Sequence, residues 1–207
     1  MLIPREKYIE RGVQIGTKIV TKEMKSYIYK QRGELKFINI EATDERIRVA
    51  AKILSKYNKI AVVASRVYAI PAAQKFCEII GAKAILGRFK PGTFTNPSLE
   101  DFYEPEIVLV ADPRVERQAI VEATKIGIPS VALVDTDNTF KYLDYVVPCN
   151  NKGKKSLPLI FYLLAREILK YRNEIKSDSE FNHSIEEFEL KEEEEGPEKE
   201  GEHEVME

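Results

Sequence analysis

Ile107-Val108-Leu109-Val110-Ala111-Asp112-Pro113-Arg114 sets five apolar residues in a row ahead of an acid, a proline and a base. No polar residue alternates through the run, so neither face of this strand is built for water. Moving outward, the pattern recurs: Ile60-Ala64 and Ala82-Leu86 upstream, Ser130-Val134 and Tyr145-Val147 downstream. Helical candidates lie between and after them, at Ala69 to Ile80, Val115 to Ile126 and Ser156 to Arg172. Apolar strands separated by helices predict a parallel sheet covered on both faces, a doubly wound α/β domain. The link from Val134 to Tyr145 is short for a helical crossover, so the pattern leaves the last pairing open. Gly81 and Gly127 follow helical runs, where a left-handed cap is often needed.

Nearer the start, Arg5 to Gly12 reads as a short helix. Val13 to Phe37 carries scattered aromatics and lysines without a helical period, which predicts extended or hairpin structure entering a strand at Leu35 to Ile40. Thr43 is a candidate cap for a helix to about Tyr57, with Asp44 and Glu45 in its first turn. Ile47, Ala50, Ala51 and Leu54 give that helix an apolar face. The organisation expected is an N-terminal helix and extended arm at 1–34, an α/β body at 35–174 and an acidic tail at 175–207.

The net charge of −2 over 207 residues conceals two opposed parts. From Ser177 onward there are fourteen acidic residues and two lysines; the remainder has thirty basic against twenty acidic residues, a net of +10. A cationic body attracts polyanions. The tail, with its Glu192 to Glu195 run and few apolar residues, is expected to be disordered. Its charge suggests that it limits nonspecific RNA binding or touches basic neighbours. No run of about eighteen apolar residues suggests a membrane span, and Met1 to Glu6 lacks a secretory pattern. Cys77 and Cys149 make neither a disulfide framework nor a Cys-rich zinc site, which fits a reducing, cytoplasmic setting. His183 and His203 lie in or near the tail, so imidazole-based catalysis is excluded for the folded body.

Ligands of doubly wound folds sit beyond the carboxyl ends of the strands. Here those positions hold Ser65-Arg66, Gly87-Arg88, Asp112-Pro113-Arg114, Asp135 to Asn138 and Asn150 to Gly153. Asp112, Asp135 and Asp137 are the acids available for magnesium-dependent phosphoryl transfer. The preferred reading is that Asp112 caps the helix beginning at Pro113, and that Asp135 to Asn138 is turn chemistry. Pro148 to Ser156 follows a strand and opens a helix, as a P-loop does. Pro148 stands where the first glycine belongs and Lys155 separates Lys154 from Ser156, so ATP binding is improbable there. Three lysines at a helix start suit a nucleic-acid backbone equally well. The loop Gly87 to Pro97 mixes Arg88 and Lys90 with Phe89 and Phe94; the rings are read as pins to the core, the cations as phosphate contacts. Lys18, Lys22, Lys25, Lys30 and Arg32, with Tyr27 and Tyr29, can form an RNA arm or a solvated hairpin. Cys77 and Cys149 are read as structural.

Four stretches together resemble a known family. They are Gly12-Val13-Gln14-Ile15-Gly16-Thr17 with Tyr27-Ile28-Tyr29; Gly87 to Asn96; Asp112-Pro113-Arg114 with Gln118-Ala119; and Pro148 to Gly153 followed by Ala165-Arg166-Glu167. In this order, over about 4–172, they look like small-subunit ribosomal protein two in its archaeal and eukaryotic branch, which includes the laminin receptor precursor of animals. The resemblance implies a flavodoxin-like sheet, no catalytic activity, no cofactor and no small-molecule substrate. It also implies a seat on the solvent side of the small subunit near the head–body junction, with small-subunit rRNA and neighbouring ribosomal proteins as partners. The chain has no room for the long helical hairpin of bacterial members. Gln14 stands where family members commonly have histidine, and the acidic tail does not match the animal tail, so laminin-related roles do not carry over. The RNA contacts expected are Lys18, Lys22, Lys25, Arg66, Arg88, Lys90, Arg114, Lys152, Lys154 and Lys155, with catalytic and metal-binding residues absent. A phosphoryl-transfer enzyme on Asp112 and Asp135, and a protein-only adaptor, are the two other classes in view.

Overall fold

The structure, a computed structural model, describes residues 1–190. Its chain order is α1 (Arg5–Glu10), a 3-10 turn (Glu23–Tyr27), β1 (Ile28–Arg32), β2 (Leu35–Ile38), α2 (Ile40–Leu54), β3 (Ile60–Ala64), α3 (Ala69–Ile80) and β4 (Lys83–Leu86). It continues with β5 (Ile107–Val110), α4 (Arg117–Lys125), β6 (Ser130–Val134), β7 (Tyr145–Pro148) and α5 (Ser156–Tyr171). Five strands form one sheet in the order β4-β3-β5-β6-β7, every pairing parallel. The pairing that the pattern left open is therefore parallel too, although no helix lies between β6 and β7. The hairpin β1-β2 is antiparallel and stands apart from this sheet.

Alternation along the strands divides the core. Val62, Leu109, Leu133 and Val147 face one layer with α2, α3 and α5. Val63, Val108, Val110, Ala132 and Val146 face the other, against α4, Phe89, Phe94 and the hairpin residue Ile38. Both faces are thus dry, which is why the strands needed no polar alternation. Phe89 and Phe94 pack ring to ring, 5.0 Å between centroids, and pin their loop to this second layer. Cys77 and Cys149 are buried free thiols, and burial pushes the Cys77 thiol up to about 12.

Several local expectations are corrected. The cap of α2 is Asn39, whose side chain accepts from the Glu41 amide. Thr43 lies within the helix, its hydroxyl donating to the Pro148 carbonyl at 2.7 Å. Asp44 is buried, accepting from the Leu2 amide and the Tyr8 hydroxyl. The helix expected from Pro113 starts at Arg117, because residues 112–116 form turns tied to Asp112.

The tail is corrected in part. Residues 175–190 are packed on the body: Phe181 and Phe188 are buried, both edge-on to Tyr162 of α5. Their acids meet cations at Lys75, Arg11, Lys170 and Arg166. His183 belongs to this packed segment and contacts Glu187. Composition missed it because two aromatic anchors and paired acids outweigh a run of like charge. The remainder of the expected disordered tail, 191–207, lies outside the described residues.

Candidate nucleic-acid interface

The order in which strands are added reverses between β3 and β5, with β4 on one side and β5 to β7 on the other, and there a doubly wound fold opens its ligand crevice. Here the chain's own side chains fill it. Arg66 Nε donates to Asp112 Oδ2 at 2.7 Å across the switch point. Beneath them Glu116, 1% exposed, accepts from the amides of Ser65 and Asp112. Asp112 also accepts from Asn138 Nδ2 at 3.2 Å, and Asn151 Nδ2 donates to Asn138 Oδ1 at 2.9 Å. The loops after β5, β6 and β7 are thereby joined in one buried polar network.

Asp112, Asp135 and Asp137 do not converge on a common point. Asp112 faces Arg66, while Lys152 Nζ lies between Asp135 Oδ2 (3.2 Å) and Asp137 Oδ1 (2.6 Å). Arg114 reaches Asp137 at 3.1 Å. Among the described residues no group of three His, Cys, Asp or Glu is placed to hold a metal ion. Burial raises the Asp135 carboxyl above its ordinary range against the pull of Lys152. Burial also acts to raise Asp137, but the Lys152 ammonium outweighs it and holds that carboxyl low.

The arm seals the rim from above. The Thr17 amide donates to Thr136 Oγ1 at 2.8 Å, and the Thr21 hydroxyl to the Asn138 carbonyl at 2.7 Å. Gly16 makes this approach possible: a Cβ there would lie 2.4 Å from Thr136 Cγ2. The segment resembling a P-loop is also covered, since the Asn150 amide donates to the Val13 carbonyl and its side chain to the Gly12 carbonyl. Gln14, the position that departs from the family pattern, has its side-chain oxygen buried and without a hydrogen-bond partner.

The ten expected RNA contacts separate by this geometry. Arg66, Arg114 and Lys152 are brought together around Asp112 and Asp137, as members of the network. Lys18 pairs with Glu34 on the hairpin and Lys90 with Asp101 beside the β4 edge; both pairs are exposed. Arg88 and Lys90 line one shallow cleft along β4. Lys22, Lys25, Arg88 and Lys155 are exposed and form no ion pair among the described residues. Lys154 lies in the same loop as Lys155 and is half-buried. Sequence reasoning missed Glu116, Arg117, Lys141 and Tyr142. The last two stand in the short β6–β7 link, whose length was the available signal.

Glu116 makes a pH prediction. Burial lifts its carboxyl from 4.5 to about 7, with the two amides moderating the rise. Between those values the native state holds a proton that the unfolded chain has released. The contribution of Glu116 to stability is therefore full below pH 4.5 and falls, by roughly 3 kcal/mol in all, as pH rises through 7. Denaturant titrations of wild type and Glu116→Gln at several pH values check this. The wild-type advantage should shrink across that window, and an advantage that grew with pH would refute it.

Residues 8–100 and 98–170 match the family described as Ribosomal protein S2. The chain is 50% identical over 194 residues to the small ribosomal subunit protein uS2 of Staphylothermus marinus, a match covering 92% of this chain and 88% of the relative. It is 48% identical to the protein of that name in Saccharolobus solfataricus, covering 92% and 84%. Against that of Ignicoccus hospitalis it is 49% identical over 183 residues, 86% of each chain.

Proposed function

The chain belongs to the ribosomal protein S2 family, and from that premise we propose that it is a structural constituent of the small ribosomal subunit. In this reading it binds rRNA and neighbouring ribosomal proteins in the cytoplasm during translation and performs no chemistry. The observation that carries the reading is the family match over most of the chain. A cationic body whose ligand crevice is filled by its own ion pairs supports a binding surface over a pocket for turnover. Among the described residues no helix is long and apolar enough to cross a membrane.

Phosphates position a protein on folded RNA and carry most of the affinity. We assign them first to Lys22, Lys25, Arg88 and Lys155, whose charges are unspent on ion pairs among the described residues. Lys18, Arg66, Lys90, Arg114 and Lys152 contribute after exchanging an internal carboxylate for a phosphate, and Lys154 completes the rim. In this division of labour residues 1–34 form the arm that holds the rim shut and brings Lys18, Lys22 and Lys25 to the RNA, and 35–174 form the body that supplies the other contacts. The acidic segment beyond competes with RNA for the body's cations.

Native lysate fractionated on a sucrose gradient, with and without ribonuclease, tests the role. The chain should travel with small subunits and leave them after digestion; a peak that survives nuclease, or one at free-protein density, would sink it. For the purified chain, changing Lys22, Lys25, Arg88 and Lys155 together to Gln should flatten the dependence of log affinity on log salt by roughly three. An unchanged slope would remove these four from the interface. Magnesium-dependent nucleotide turnover abolished by Asp135→Asn would instead favour the phosphoryl-transfer class.

A further inference from the structure

The ten-residue link between β6 and β7 contains, near its end, a tight turn with a bulky residue where the backbone favours glycine. Phe140 and Leu143 pack into the second core layer, and the Leu143 amide donates to the Phe140 carbonyl at 3.1 Å. Lys141 and Tyr142 are left at the tip. Tyr142 has φ +67°, a left-handed conformation that a tyrosine rarely adopts, at the turn position where glycine or asparagine is usual. The residue is nevertheless 47% exposed, and unlike Phe140 and Leu143 it is not packed against the second core layer. Strain kept at an exposed aromatic marks a residue held for what it does.

That ring borders an open cavity of about 390 Å³, between the turn and the start of α4, with Arg114, Arg117 and Lys141 around it. Lys141 Nζ lies 4.9 Å from the Tyr142 ring centroid. Arg117 and Lys141 are exposed and form no ion pair among the described residues. The one acid on the wall, Asp137, is already met by Lys152 and Arg114. An aromatic ring on the wall, beside cations that no acid neutralises, is the chemistry that holds an unstacked base and its phosphate. The volume falls in the range of small-ligand sites, roughly 300–1,000 Å³, and leaves room for one nucleotide.

We propose that this cavity takes one unpaired nucleotide of RNA, its base stacked on Tyr142 and its phosphate on Arg117 and Lys141. The inference rests on the ribosomal reading above and adds a single-stranded contact to a surface otherwise assigned to phosphates.

The test uses the full chain with a single-stranded RNA hexamer of mixed sequence and an abasic oligomer of the same length. Wild type should prefer the hexamer. Tyr142→Gly should weaken hexamer binding about tenfold while leaving the abasic oligomer unaffected, and Tyr142→Phe should restore it. Because glycine relieves the strained turn, the variant should melt no lower than wild type; Tyr142→Asn repeats the test should it unfold. Arg117→Gln should weaken both oligomers. Equal binding of the hexamer by wild type and Tyr142→Gly overturns the proposal, as does a photoreactive group at position 142 that cross-links subunits through protein instead of RNA. A chain that binds the hexamer through Tyr142 but never travels with subunits sinks the ribosomal role alone. One that travels with them while ignoring Tyr142 sinks the cavity alone.

Discussion

Replacing Lys152 by methionine is expected to lower the stability of the protein by about 3 kcal/mol at neutral pH, the lower end of the range for breaking a buried ion pair. Its ammonium is the charge shared by Asp135, 1% exposed, and Asp137. The side chain of Lys152 itself is 28% exposed, which keeps the estimate at that lower end. Without it two neighbouring carboxylates face each other in a water-poor site, and Arg114 reaches Asp137 alone. For a chain of this size the melting temperature should fall by roughly 10 °C. The sign of the pH effect follows from the acids. Losing Lys152 raises their native-state affinity for protons, so the defect is largest above neutral pH and lessens as pH falls toward the carboxylate range. Asp135→Asn with Asp137→Asn, added to Lys152→Met, should recover much of the loss. Thermal melts of the single and triple variants decide the matter: an unaltered melting temperature for Lys152→Met would show that the network does not hold the rim together.

The second large effect is expected at Phe188, fully buried on the far side of the sheet. Phe188→Ala should raise the local opening of residues 175–190 by about two orders of magnitude, equivalent to about 3 kcal/mol. The ring packs edge-on against Tyr162, 5.9 Å between centroids. It also brings the turn Ile185–Phe188 to α3, where Glu187 meets Lys75 at 2.8 Å. Lys75, the Ser184 amide and His183 hold the Glu187 carboxyl down to about 2, so that contact stays ionised through the neutral range. Because the segment contributes no strand to the five-stranded sheet, its release leaves that sheet standing, and global unfolding should change less than local exchange does. Amide exchange mapped by mass spectrometry tests this directly. Protection of 175–190 equal to that of wild type would mean the aromatic anchor is not what holds the segment.

The two sites differ in how far they were legible beforehand. Lys152 was visible as part of a lysine-rich loop at a strand end, and pattern alone suggested a phosphate ligand. Its pairing with Asp135 and Asp137 depends on β6 and β7 lying side by side, which a ten-residue link without a helix did not announce. Phe188 lay hidden in an acidic stretch, because composition averages over a window while burial acts on single side chains. Tyr142 was invisible for a related reason: a left-handed backbone angle is set by the anchoring of Phe140 and Leu143 on either side, not by the residue that bears it.

The chain's own order of residues determined the class of fold. Five apolar strand runs separated by amphipathic segments and Gly caps admit one economical solution, a parallel sheet dry on both faces, and the family motifs repeat along it in register. Which charges are free was decided only in three dimensions. Electrostatic pairing acts over a few ångströms between residues more than a hundred positions apart or from different loops, so Arg66, Arg114 and Lys152 turned inward while Arg88, Arg117 and Lys155 stayed open to a partner. Periodicity reports burial, which each segment carries in its own pattern. Partnership belongs to pairs, and pairs exist only after folding.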